Sequence, residues 1–237
     1  MDDNVRHELM KKYSESVLFH KRFRHKSRII FWELFIRSIY FIKRVLDIII
    51  SITGMILLSP VFLITMIAVY FEDPGPVFYT QNRVGKNGKH FKFIKFRSMI
   101  MNADKIKISL MDENESKDGV TFKMKKDPRI TKTGRIIRRF SIDELPQLLN
   151  VLIGDMAIVG PRPPVPSEVE EYTLEERKRL HVIPGITCIW QVSGRSDIPF
   201  KEQVRLDLEY IRSQSIWSDI LIILKTIPAV LTGKGAY

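Results

Sequence analysis

From Ile48 to Phe71 the chain runs for 24 residues without a charge, and Ser59-Pro60 divides that run into halves of 12. At about 1.5 Å per residue the whole run reaches roughly 36 Å, enough for a hydrocarbon core of roughly 30 Å, while each half reaches about 18 Å. Two architectures follow: a kinked helix that crosses the membrane, or a re-entrant one that dips into one leaflet and returns. Pro60 lacks an N–H and clashes with the preceding turn, so a bend belongs there. Ser59 can satisfy the carbonyl freed by the proline, because unmet backbone groups are costly in lipid. Lys43 and Arg44 hold one end, and the portion beyond Phe71 carries most of the 38 Lys and Arg. The positive-inside bias then keeps both flanks on the cytoplasmic side, although length and periodicity alone leave both forms open.

A secretory signal peptide does not fit, since 47 residues rich in charge precede the run and no small-residue cleavage site follows it. Residues 73–237 are close to the usual size of one domain. Cys188 is the only cysteine, which excludes a disulfide framework and a cysteine-based zinc site and agrees with a cytoplasmic setting. The formal net charge of +11 points to anionic partners: lipid headgroups, phosphates or nucleic acid.

Residues 1–42 read as a basic, aromatic juxtamembrane extension. Lys21, Arg22, Arg24, Lys26 and Arg28 lead into Ile29-Ile30-Phe31-Trp32, and Leu34, Phe35, Ile39, Tyr40 and Phe41 continue at helical spacing, the pattern of an interfacial helix or of one packed on a domain. A second apolar stretch, Ile216 to Leu231, contains Asp219, Lys225 and Pro228 and suits the membrane interface better than a span. Val77 to Thr80 and His90 to Phe96 alternate around Gly85-Lys86-Asn87-Gly88 and predict a hairpin. Helices are predicted over Met101–Leu110, Ser141–Leu152, Pro166–Leu180 and Pro199–Gln214, and an exposed loop over 112–119. The fold class is therefore mainly α with a small antiparallel β component (α+β), without a parallel doubly wound sheet.

The chemical candidate is Ser141-Ile142-Asp143-Glu144. Serine followed three residues later by glutamate is a capping box, with Ser141 at the N-cap, and this alone explains the residues. The functional alternative is that Asp143, in a first helical turn that favours carboxylate and phosphate, attacks a phosphorus atom. Phosphoryl transfer needs positioning and charge neutralisation. A guanidinium supplies paired hydrogen bonds and a lysine a point charge, and Arg138-Arg139 precede the acidic pair. Pro161-Arg162-Pro163-Pro164 restricts the backbone and holds Arg162 in one direction. No Walker loop, dinucleotide fingerprint or zincin motif occurs, and the five histidines are scattered.

The ordered set Asp127-Pro128-Arg129-Ile130-Thr131, Gly134-Arg135, Arg138-Arg139, Ser141 to Gln147, Gly154-Asp155-Met156 and Val159 to Pro163 resembles the bacterial sugar transferases known as monotopic polyprenyl-phosphate phosphoglycosyltransferases. Lys43 to Asp47, Ser59-Pro60, Gln81 to Gly85, Lys95 to Met99, Pro184 to Thr187, Trp190 to Arg195 and Asp207 to Tyr210 extend the likeness over about residues 43–237. The resemblance implies a membrane enzyme that passes a sugar phosphate from a nucleotide-diphosphate sugar, expected to be a UDP-sugar, to polyprenyl (undecaprenyl) phosphate. It implies ping-pong chemistry with Asp143 as nucleophile and Glu144 as its partner. Magnesium is implied as cofactor, held by Asp143 and Glu144 with Asp207 as a further candidate ligand; an oxygen-only donor set suits it. Lys95, Arg97, Arg139, Arg162 and Arg195 are the expected phosphate and nucleotide contacts.

The family's re-entrant helix maps onto residues 43–72 with Ser59 and Pro60 at the vertex, followed by a compact cytoplasmic catalytic domain over 73–237 on the inner membrane. Expected partners are the nucleotide sugar, the lipid phosphate and membrane lipids, with no nucleic acid; a homodimer is the one protein partner considered. The alternative from a different class is a basic, membrane-anchored module that gathers anionic lipid or nucleic acid without catalysis.

Overall fold

The computed structural model describes residues 3–103, 105, 106, 110, 124, 126–233 and 235. It divides into two units, Met1–Val45 and Leu46–Tyr237, and helix α1 (Asp3–Leu57) runs through the boundary. In the first unit, Phe31, Trp32, Phe35, Tyr40 and Phe41 are exposed, and the Trp32 and Phe35 rings meet edge to face at 5.7 Å.

The second unit contains α2 (Ser59–Glu72), the strands β1 (Phe78–Val84) and β2 (His90–Phe96), and α3 (Lys132–Arg139). There follow α4 (Gln147–Ile153), β3 (Ala157–Val159), α5 (Pro166–Glu170), β4 (Gly185–Thr187), α6 (Ile189–Ser193), α7 (Phe200–Ser213) and α8 (Ile216–Thr232). The architecture is mainly helical, with an antiparallel β1–β2 hairpin as expected and a short parallel β3–β4 pair that was not.

The apolar run breaks at Leu58, where α1 and α2 meet at 62°. Pro60 cannot donate to Ile56, four residues back, and the Ser59 hydroxyl donates to that carbonyl instead, at 2.8 Å. Both ends of the run are fastened to the rest of the second unit. Asp47, buried, accepts the Ile158 N–H at 3.1 Å. Glu72 accepts the N–H groups of Lys132 and Thr133 at 2.7 and 2.8 Å, capping the start of α3. These hydrogen bonds outweigh the effect of burial and hold the Glu72 carboxyl below the usual range.

The hairpin has two working faces. Strand alternation puts Phe91 and Phe93 on one side, where they pack with Leu148, Val151, Met156, Ile158, Tyr210 and Ile222 in the main core. Phe96 points the other way and meets Phe62 of α2 at 5.4 Å. Asn150 binds α4 to the hairpin: its amide accepts the Ile94 N–H at 3.1 Å and donates to the Lys92 carbonyl at 2.7 Å. In the β3–β4 region the backbones approach so closely that a Cβ on Gly185 would lie 2.0 Å from the Gly160 nitrogen.

Two predicted helices are shorter than expected. Pro146 leaves the Ile142 carbonyl without an i+4 donor, so that carbonyl takes Leu145 N–H at 3.1 Å. A 3-10 turn, Ile142–Glu144, therefore precedes α4, and the expected Ser141–Leu152 helix does not form. The Ser141 capping box fails as well, because Ser141 is left-handed, with φ 52°, and makes no cap hydrogen bond. The Pro166–Leu180 helix is interrupted by a capping box over Thr173 to Glu176, in which Thr173 N–H donates to Glu176 and Glu176 N–H to Thr173 Oγ1. The chain restarts there as a 3-10 segment, Glu176–His181. The Pro199–Gln214 expectation matches α7. Of the Met101–Leu110 expectation, Ala103, Lys105 and Ile106 are helical, and the predicted loop over 112–119 lies outside the described residues.

Replacing Asn150 by Ala strands a strand N–H and a strand carbonyl. It should cost about 2–4 kcal/mol, read as a lower denaturant midpoint in detergent. An unchanged midpoint would show that the hairpin does not depend on this tie.

Candidate functional site

Asp143 and Glu144 line a cavity of about 380 Å³ in the second unit together with Lys95, Arg138, Arg162 and Arg195. The two carboxyls share the 3-10 turn Ile142–Glu144, and each of the four cations comes from a different segment. Lys95 lies on the same hairpin face as Phe91 and Phe93, so the alternation that builds the core aims a cation at the cavity. Its ammonium sits 5.2 Å from the centre of the Tyr79 ring, its register partner. Arg138 follows buried Gly134 by one turn of α3 and faces inward with it.

Arg162 is held by its prolines and by the hydrogen bonds around them. Gly185 N–H donates to Pro161 O at 2.9 Å, Val84 N–H to Pro164 O at 3.0 Å, and Arg83 to Pro163 O at 2.9 Å. So fixed, its guanidinium meets Glu144 Oε1 at 2.7 Å. Arg195 donates to Ser141 Oγ at 3.1 Å. Both residues have positive φ, 53° and 52°, a conformation that costs on the order of 1–3 kcal/mol for such residues. Ser141 thus serves as an acceptor at the cavity rim rather than as a helix cap.

The two carboxyls are not equivalent. Burial and the Glu144 charge push Asp143 up to about 6, against the attraction of Lys95, Arg138 and Arg162. Burial acts on Glu144 in the same sense, but the charge and hydrogen bond of Arg162, with Lys95 and Arg83 behind them, outweigh it and hold Glu144 below the usual range. Lys95 is lowered to about 8 by burial and by the surrounding arginines. Glu144 is therefore a fixed anion paired with Arg162, while Asp143 is a buried carboxyl facing open space.

Part of the lining is apolar: Ile186, Leu148, Val192, Ala229 and Val230 contribute to it, and Thr226 of α8 meets Thr187 of β4 at 2.8 Å between hydroxyl oxygens. The outer side of α8 exposes Trp217, Leu224 and Leu231 at 75, 57 and 69%. Helix α8 thus contributes Ala229 and Val230 to the apolar lining and carries an apolar outer stripe.

The sequence-predicted residues separate cleanly. Lys95, Asp143, Glu144, Arg162 and Arg195 come together in the cavity. Arg97 is buried elsewhere, donating to the Asp73 carbonyl. Arg139 is exposed, 5.6 Å from the Phe140 ring, and its carbonyl accepts from Arg195. Asp207 is buried against Arg179 at 2.6 Å and lines neither this cavity nor its neighbour, so it stands apart from Asp143 as a metal ligand. Arg138 takes the inward place expected of Arg139, and the α3 periodicity set by Gly134 is the signal that separates them. Sequence reasoning also missed Trp190 and the α8 wall.

Among the described residues no three His, Cys, Asp or Glu side chains gather as a metal cluster. Adjacent Asp143 and Glu144 nevertheless fit magnesium, which commonly takes one or two protein carboxylates and fills its octahedron with water and substrate phosphate.

The family model described as bacterial sugar transferase matches residues 38–233. Galactosyl transferase CpsE of Streptococcus agalactiae is 50% identical over 197 residues, 82% of this chain and 43% of that protein. Exopolysaccharide production protein ExoY of Sinorhizobium fredii is 42% identical over 198 residues, 82% of this chain and 88% of that protein. Undecaprenyl-phosphate galactose phosphotransferase of Salmonella typhimurium is 44% identical over 210 residues, 85% of this chain and 43% of that protein. The chain spans less than half the length of two of these relatives and most of the third. A family match across most of the chain, joined to a relative of similar length, makes this protein a member of the bacterial sugar transferase family.

Proposed function

We propose that this chain transfers a sugar 1-phosphate from a uridine-diphosphate sugar to undecaprenyl phosphate. The observation that carries the reading is one cavity in which a buried carboxyl, Asp143, with no ion pair among the described residues, shares the lining with four cations, Lys95, Arg138, Arg162 and Arg195, and with apolar side chains. That combination suits two substrates that share a phosphate but differ in solubility. The printed name of the Salmonella relative joins undecaprenyl phosphate to galactose, and that of the Streptococcus relative is a galactosyl transferase; a hexose donor is the first to test.

In the proposed route a carboxylate oxygen of Asp143 attacks the phosphorus that bears the sugar. The bond to the bridging oxygen breaks and nucleoside monophosphate leaves. An oxygen of the lipid phosphate then attacks the phospho-Asp143 phosphorus, the P–O bond to Asp143 breaks, and the carboxylate returns. Lys95, Arg138 and Arg162 offset charge on the transferring group, while Glu144 holds Arg162 in place. Magnesium, held by Asp143 and Glu144, would supply further charge neutralisation.

For the membrane we propose a re-entrant anchor with its vertex at Ser59 and Pro60, the second unit on the cytoplasmic face of the inner membrane and α8 lying along the interface. The 62° break, its Ser59 hydrogen bond and the exposed stripes of α2 and α8 support this reading. In sealed vesicles, cysteines introduced at exposed Ser38 and Lys201 should react with an impermeant reagent from the same side; labelling from opposite sides would establish a spanning helix instead.

Asp143→Asn preserves shape and removes the nucleophile. Transfer of radiolabelled hexose phosphate to undecaprenyl phosphate should fall about 10³-fold or more, with thermal stability and vesicle binding unchanged. Retained transfer would remove Asp143 from the chemistry. No transfer even by the unaltered protein, with anionic-vesicle binding intact, would favour the membrane-anchored binding module.

The pH profile follows from the two shifted groups. Attack needs Asp143 ionised, so kcat/KM should rise with pH through an acid limb near 6 and fall through an alkaline limb near 8 as Lys95 loses its proton. Magnesium favours the carboxylate form, so raising its concentration should move the acid limb lower. A profile flat from pH 5 to 9 would contradict both assignments.

A further inference from the structure

A second cavity of about 260 Å³ adjoins the first, and Arg138, Arg162, Trp190 and Ser196 line both. It is smaller than the roughly 300–1,000 Å³ usual for a whole small-molecule site. With a shared wall, it reads as a compartment of one larger site. Its other lining cations are Arg83, Arg129 and Arg179.

The arginines differ in what they have left to offer. Arg129 is gripped by Asp127 through Nε at 2.8 Å and Nη2 at 2.6 Å. Arg179 is paired with Asp207 and donates to the Tyr172 hydroxyl at 3.0 Å. Arg83 instead donates to neutral acceptors, Gln81 Oε1 at 2.8 Å and Pro163 O at 2.9 Å. Neither Arg83 nor Arg138 forms an ion pair among the described residues. Glu168 also lines the second cavity and its charge acts on Arg83, so Arg83 and Arg138 together leave one net positive charge available there for an anion.

The hairpin supplies the direction. Tyr79 pairs with Lys95 and Arg83 with Phe91, so Lys95 and Arg83 share one face, separated by four residues, or about 13 Å along the strand. Lys95 lines only the first cavity and Arg83 only the second, with Arg162 on the wall between them. A donor whose transferred phosphate lies at Asp143 has both the apolar part of the first lining and this arginine-lined compartment within the same site.

We propose that the second cavity binds the nucleoside monophosphate half of the donor, with Arg83 and Arg138 on the phosphate that leaves. The inference rests on the transferase reading above and adds to it a separate compartment for the leaving group, so that the nucleotide departs apart from the α8 residues of the first lining, where the lipid phosphate enters.

The test uses the full chain in lipid nanodiscs and uridine monophosphate as probe. Cys188 is buried, so a cysteine replacing Met99 in the second cavity, or Val230 in the first, can be labelled selectively. Uridine monophosphate should slow labelling of Met99→Cys about tenfold and leave Val230→Cys unaffected. Arg83→Gln should weaken nucleotide binding about tenfold, with Arg83→Lys between it and the parent. Equal protection at both positions, equal protection by inorganic phosphate, or unweakened binding by folded Arg83→Gln would each overturn the assignment. Sugar-phosphate transfer by the unaltered protein separates the two readings: if transfer occurs without second-cavity protection, only this inference fails; if protection occurs without transfer, the transferase reading fails and the second cavity remains a nucleotide site without a donor role.

Discussion

Two neighbouring carboxyls removed from bulk water can persist only where cations surround them, and much of the second unit holds that arrangement in place. Arg162 has the central part. Its own prolines limit its direction, the β1 and β4 strands fix the turn by backbone hydrogen bonds, and the resulting 2.7 Å pair keeps Glu144 ionised. Asp143 then bears the cost of that neighbour. A second charge beside an existing one is harder to form in a buried site, so the carboxyl that faces the cavity is the one pushed up. The adjacent pair thereby divides into a structural anion and a reactive group.

The apolar run depends on the same unit at both ends. Asp47 closes it on the β3 side, and Glu72 caps α3, the helix that carries Arg138. A shift of α2 therefore moves the N-terminus of a helix that lines the cavity. The Ser59 hydroxyl, placed on the one carbonyl that Pro60 leaves free, lets the bend occur without exposing an unmet polar group. The apolar run and the site geometry are in this way one mechanical system, linked through three hydrogen bonds accepted by two carboxylates.

What was legible in the sequence was what local chemistry decides. The hairpin, the bend at Ser59-Pro60 and α7 follow from alternation, turn residues or proline's missing donor, whereas Lys95 was expected from the family resemblance. Ser141 shows where that reasoning stops: the S-x-x-E spacing is a capping signal, yet Pro146, outside the four-residue window, forces a 3-10 turn and leaves Ser141 to Arg195. The β3–β4 pair, three residues per strand, was too short to produce a periodic signal. Arg138 and Arg139 are indistinguishable by charge, and only the tertiary contact at Gly134 decides which one faces inward. Arg97 carried the family pattern but its guanidinium is spent on Asp73. Such tertiary choices set most of the site's boundary.

The proposed covalent route also answers an electrostatic constraint. The cavity offers four cations, Lys95, Arg138, Arg162 and Arg195, against two carboxyls, an excess that suits one phosphate-bearing substrate at a time rather than a diphosphate donor and a lipid phosphate together. Holding both at once would place several negative charges within a few ångströms in a partly dry space, where each pair repels strongly. Passing the sugar phosphate through Asp143 lets the nucleotide leave before the lipid phosphate arrives. The same cations then serve both halves of the reaction in turn, and the apolar wall and the arginine-lined compartment need never be filled at the same moment.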